Sequence, residues 1–135
     1  MIVIDASNLI LGRMATFVAK QALLGQEIKL INVEKAVVSG KKKSMILKIQ
    51  NDANRGTPAK GPFIPKNADR YVRRVIRGML PYKQPKGVEA YKRVLCYVGV
   101  PEELKDKKSV SVADANVEKL PNLNYITVGE LLKNI

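Results

Sequence analysis

The chain has 135 residues, 46% of them hydrophobic, a length and composition that allow a true core and exclude wholesale disorder. A net charge of +12 with no histidine and one cysteine favours a polyanionic partner and removes the commonest general base, the usual structural zinc sets and any internal disulfide. There is no run of about 18 apolar residues and no signal-peptide layout at the start, so a cytoplasmic setting without membrane association is expected.

The apolar run Ile2-Val3-Ile4 ends at Asp5, an acidic turn residue, and Ala6-Ser7-Asn8 supplies loop and cap material. Leu11, Met14, Ala15, Val18 and Ala22 then recur at helical spacing up to Gly25, a natural stop. A second apolar run at 28–33 completes a strand, helix, strand unit, for which parallel pairing and a right-handed crossover are expected. Residues 36–39 read as an extended continuation. Gly40-Lys41-Lys42-Lys43-Ser44 opens a helix reaching about Gln50. A phosphate-loop reading of this stretch fails, because Lys35 stands where the first glycine is needed and the serine does not directly follow the first lysine. What remains is a lysine cluster at a helix N-terminus, where side-chain charge and free amides can hold a nucleic-acid phosphate.

Residues 51–68 carry Arg55, Gly56, Pro58, Lys60, Gly61, Pro62, Pro65 and Lys66 and read as an extended basic arm. Phe63 and Ile64 within it are expected to anchor the arm to the body, with stacking on an exposed base as the alternative. The next stretch, 69–81, has two faces. On a helix, Val72, Val75, Ile76 and Met79 form one stripe, and Arg70, Arg73, Arg74 and Arg77 form a second nearly opposite it. Asp69 reads as the N-cap, while Gly78 and Pro81 punctuate the far end. Glutamine at 73, 74 and 77 together is accordingly expected to weaken anion binding and leave thermal stability nearly unmoved.

A basic turn at 82–87 holds Lys83 and Lys86, a short helix at 88–93 carries Lys92 and Arg93, and 94–98 reads as a strand in which Cys96 is a buried residue rather than a nucleophile. Residues 102–121 show no clear period. Thr127 and Glu130 fit a capping box ahead of Leu131 and Leu132.

Charge divides the chain unevenly. Residues 1–34 are neutral overall and 94–135 net minus one, whereas 35–93 hold sixteen basic and three acidic residues, a net of +13. Polyanion binding is thus expected of the central region 35–93 of one domain spanning 1–135, with the flanks as scaffold and 102–135 without an assigned role.

The blocks Ile4-Asp5-Ala6, Leu11-Gly12-Arg13, Ile31-Asn32-Val33-Glu34-Lys35, Val38-Ser39-Gly40-Lys41, Arg77-Gly78-Met79-Leu80-Pro81 and Tyr97-Val98-Gly99, in this order, resemble the universal large-subunit ribosomal proteins of the family numbered thirteen. Arg55-Gly56 through Gly61-Pro62 and the turn after Pro81 are most similar to its archaeal and eukaryotic branch. The resemblance covers residues 1–101. It implies a three-layer α/β/α fold around a small, mainly parallel sheet, no catalytic activity, and a place on the large ribosomal subunit. The partners it implies are large-subunit rRNA and neighbouring ribosomal proteins. The family's basic helix and following turn map onto Arg70, Arg73, Arg74, Arg77, Lys83 and Lys86, its lysine-rich loop onto Lys41, Lys42 and Lys43, and its turn onto Gly78 and Pro81, where a side chain or a free amide would obstruct the bend. The charge distribution adds Arg55, Lys60, Lys66, Lys92 and Arg93 as RNA-contacting candidates. No cofactor, metal or small-molecule substrate is expected. Two other readings stand beside this one. A nucleotide-binding enzyme is suggested by the opening strand, loop and helix, with Asp5 as acid, although only Gly12 of a Gly-x-Gly-x-x-Gly signature is present. A free regulatory RNA-binding protein is the other.

Overall fold

The computed structural model describes residues 1–121 and 124–134. Strand β1 (Ile2–Asp5), helix α1 (Leu11–Leu23) and strand β2 (Ile28–Ile31) form the opening unit, with β1 and β2 parallel. Next come β3 (Val37–Ser39), α2 (Lys42–Ala53), α3 (Ala68–Gly78), α4 (Pro85–Lys92) and β4 (Val94–Cys96), which pairs parallel with the other side of β2. The chain closes with β5 (Tyr125–Thr127) and α5 (Val128–Leu132). This is an α/β fold with a small, mainly parallel sheet in the order β1-β2-β4.

Alternation along the strands sorts the core. Ile4, Ile28, Leu30 and Val94 turn to one face and meet Met14 and Val18 of α1 and Val72 and Ile76 of α3. Every residue of the α1 stripe expected from spacing is buried. Val3, Ile31 and Tyr97 serve the opposite face, where Leu104 from the one-turn helix Glu102–Leu104 covers them. Helices thus blanket one side of the sheet and a single turn shields the other. No charged or polar residue among those described is buried, so the charge lies on the surface.

Several expectations change. Residues 36–39 do not continue the first sheet: β3 pairs antiparallel with β5 in a separate two-stranded sheet. Helix α2 runs on to Ala53, which shortens the connector to 54–67. The segment without periodicity lies along the rim of β1, where the Val110 amide donates to the Val3 carbonyl at 2.8 Å and the Asp5 amide to the Val110 carbonyl at 3.2 Å. Further on, the Ile10 amide donates to the Ala115 carbonyl at 2.6 Å. Backbone pairing of this kind carries no side-chain period. The Thr127 hydroxyl accepts from the Glu130 amide at 3.3 Å, as the capping box requires, but the Glu130 carboxylate turns away to Lys42 at 3.8 Å, so the box is half made.

Asp5 serves the turn. Its carboxylate accepts from the Ser7 amide at 3.0 Å and from Asn32 Nδ2 at 3.3 Å, which ties the entry of α1 to the left-handed residue that follows β2. Burial alone would raise this carboxyl, but the Ser7 and Asn32 donors and the charge of Lys35 together outweigh it and hold Asp5 below the ordinary carboxylate value. A group so occupied and so acidic is a poor proton donor near neutrality.

Candidate nucleic-acid interface

Helix α3 is capped at Asn67 and not at Asp69, because Asn67 has extended backbone and its carbonyl receives the Tyr71 amide at 2.9 Å. Asp69 instead occupies the first turn, where its charge still suits the positive helix end. Val72 and Ile76 are buried as the apolar stripe requires, and Val75 is half-buried. Met79 lies beyond the last helical residue and is exposed, its sulfur 3.6 Å from the Thr16 hydroxyl.

The four arginines of α3 do not behave alike. Together with Lys66, Phe63 and Tyr91 they line a groove of 510 Å³ between the helix and the connector, with no acidic side chain in its wall. Arg70 is exposed and makes no ion pair or side-chain hydrogen bond among the described residues. Arg74 donates to the Phe63 carbonyl at 2.7 Å, and Arg77 stands over the Tyr82 ring at 5.1 Å. Arg73 is half-buried: it donates to the Val94 carbonyl at 3.0 Å and the Tyr91 carbonyl at 3.3 Å, with its guanidinium 4.0 Å from the centre of the Tyr91 ring. At 100° per residue Arg73 lies only about 60° from Ile76, at the border of the apolar stripe, and the fold draws it in.

The expectation that Arg73, Arg74 and Arg77 can be neutralised together without cost to stability is therefore corrected. Replacing Arg73→Ala removes the donor to the Val94 and Tyr91 carbonyls and is expected to lower unfolding free energy by about 2 kcal/mol, the scale of a charged hydrogen bond lost from a partly buried site. Arg70→Gln should stay within about 0.5 kcal/mol of the parent. Urea denaturation of the two variants checks this, and equal midpoints would mean Arg73 does not brace β4.

A second basic surface opens where α2 begins. Lys41 is its N-cap residue, no acidic residue occupies the first turn, and Lys41, Lys42 and Lys43 are exposed around a groove of 460 Å³ that Asn124 and Tyr125 complete. Lys42 shares its charge with Glu130, a pair exposed on both sides and hence weak.

The remaining candidates scatter. Arg55 pairs with Asp52 at 3.6 Å, and the loop it begins is not extended, since the Gly61 amide donates to the Thr57 carbonyl at 2.6 Å and a Cβ on Gly61 would meet the Arg55 carbonyl at 2.5 Å. Lys60, Lys83, Lys86 and Lys92 are exposed. Arg93 is turned inward, donating at 2.9 Å to the Ala22 carbonyl in the last turn of α1, which also accepts the Gly25 amide at 3.1 Å. Gly78 is not where the bend is crowded, because it ends α3 with open space for 4 Å around the point a Cβ would occupy. Pro81 does lie in the turn, and its carbonyl, which receives the Gln84 amide at 2.9 Å, is approached by Gly87. Burial pushes the Cys96 thiol up to about 12 against the opposing charge of Arg73, so it is not a reactive thiolate. Among the described residues no helix is long and apolar enough to cross a membrane.

Residues 1–103 match the family described as Ribosomal protein L13. The chain belongs to the ribosomal protein L13 family. Its similarity to L13 relatives continues beyond residue 101. The large ribosomal subunit protein uL13 of Methanosarcina barkeri is 48% identical over 132 residues, covering 97% of this chain and 94% of the relative. The same-named protein of Methanococcoides burtonii is 42% identical, covering 100% and 97%. That of Methanopyrus kandleri is 44% identical, covering 98% and 85%. The resemblance carried by the short sequence blocks is thus a family relationship, and these three L13 relatives are archaeal, on the branch expected from the connector.

Proposed function

We propose that this L13 family member is a structural constituent of the large ribosomal subunit, without catalytic activity, that binds and helps organise large-subunit rRNA. In this reading residues 1–135 act as one domain and the basic region 35–93 faces the RNA, with neighbouring ribosomal proteins completing the setting in the cytoplasm. The observation that carries it is the groove beside α3, walled by four guanidinium groups and Lys66 with no carboxylate to neutralise them. A surface of this kind suits phosphate oxygens, and contact with the backbone reads the shape of folded RNA, because A-form helices hide their base edges in a deep, narrow groove.

Within the set of candidates the geometry favours Lys66, Arg70, Arg74, Arg77, Lys41 and Lys43 as phosphate contacts, with Lys42, Arg55, Lys60, Lys83, Lys86 and Lys92 around them. Arg73 and Arg93 act chiefly as braces that hold the surface in shape. Sedimentation of the epitope-tagged protein from its native host through a gradient tests residence: comigration with large subunits is expected, and a wholly free pool would leave the regulatory RNA-binding reading in its place.

A further inference from the structure

Phe63 is one of two phenylalanines in the chain, and instead of anchoring the connector it stands 66% exposed. Its neighbour Ile64 is half-buried and lines a groove with Met45, Ile49 and Val75. The position of Phe63 is nonetheless held. Pro62 and Pro65 restrict the backbone on either side, and Arg74 clamps the Phe63 carbonyl at 2.7 Å. Phe63 lines both the arginine groove and a second groove of 310 Å³, which it shares with residues 53–58, Gly61 and Pro62. An aromatic ring left in water, on a stiffened segment and beside cations that seek phosphate, has the features of a stacking platform for an unpaired base.

From this we infer that the groove beside α3 takes a nucleotide extruded from its RNA helix, whose base stacks on Phe63 while its flanking phosphates lie against Arg70, Arg74 and Lys66. The volume of 510 Å³ falls within the range of about 300–1,000 Å³ typical of small-ligand sites, room enough for one nucleotide. Arg74 retains donors for a phosphate after serving Phe63, because a guanidinium carries more N–H groups than that one bond uses. The inference rests on the RNA-binding reading above and deepens it: the partner is RNA with a bulge or loop, and a perfectly paired stem is bound less well.

The test uses the full-length protein with two probes, a short paired RNA duplex and the same duplex carrying one unpaired fluorescent purine analogue. The bulged duplex is expected to bind about tenfold tighter, the scale of one base stacked on an aromatic side chain, with the analogue's fluorescence quenched on binding. Phe63→Ala and Phe63→Leu should both erase the preference and the quenching while salt-sensitive duplex binding stays unchanged, and Phe63→Trp should retain both. Because Phe63→Leu keeps an apolar side chain and removes only the ring, it separates stacking from any loss of loop structure. Equal affinity for the two duplexes, or a preference that survives in Phe63→Leu, overturns the inference and leaves RNA binding intact. Absence of binding to either duplex overturns both.

Discussion

Raising salt from about 50 to 200 mM is expected to weaken rRNA binding about a thousandfold, because roughly six phosphates are neutralised and each releases condensed counterions. The six cations proposed for this are Lys66, Arg70, Arg74 and Arg77 beside α3, and Lys41 and Lys43 at the start of α2. Their charge is free to act, since only Lys42 and Arg55 of the central region form ion pairs among the described residues. A plot of log affinity against log salt should fall with a slope of about −5, and changing Lys66, Arg70, Arg74 and Arg77 together to glutamine should make it shallower by about 3 to 4. Leaving Arg73 in place keeps β4 braced, so that lost binding is not confused with lost folding. A slope near zero would mean that the central charge faces something other than phosphate.

Gly87→Ala should destabilise the protein by about 3 kcal/mol, near the upper end of the usual cost of overpacking, and lower the melting temperature by roughly 10 °C. Helix propensity alone predicts the reverse, a gain of about 1 kcal/mol for alanine inside α4. Sterics outweigh it here. A Cβ on Gly87 would run into the Pro81 carbonyl group and lie 2.8 Å from the Tyr82 nitrogen, and these are backbone atoms that cannot swing aside like the end of a long side chain. Gly78→Ala is the matched control: that position is helical with open space around it, so alanine should add about 0.5–1 kcal/mol. Thermal melts of the two variants read both signs. Unchanged stability in Gly87→Ala would show that α4 does not rest on the turn at 81–84.

The sequence disclosed those parts of the fold whose cause is local. The stripe from Leu11 to Ala22, the paired apolar runs around it and the Thr127 cap all rest on spacing within a few residues, and the structure contains them. It did not disclose the pairing of β3 with β5, because nothing near Val37 records that Thr127 will lie opposite. The rim pairing at Val110 is hidden for the same reason. In the candidate site the charge distribution was readable but the division of labour was not. Arg73 and Arg93 look like Arg70 in the sequence, yet each donates to a backbone carbonyl set by a distant element, Val94 for one and Ala22 for the other. For Arg73 a partial signal existed in its nearness to Ile76 around the helix. Phe63 gave the opposite lesson, since an aromatic side chain normally implies burial and here it is exposed while Ile64 beside it is half-buried.

The hydrogen bond from Arg73 to Val94 also has a meaning for the protein before any partner reaches it. β4 ends the three-stranded sheet, and the Val94 carbonyl lies outside its ladder with β2, where an incoming strand of another molecule would otherwise find an acceptor. With a guanidinium already seated there, that acceptor is closed to an incoming strand, which makes this edge a poorer template for edge-to-edge growth.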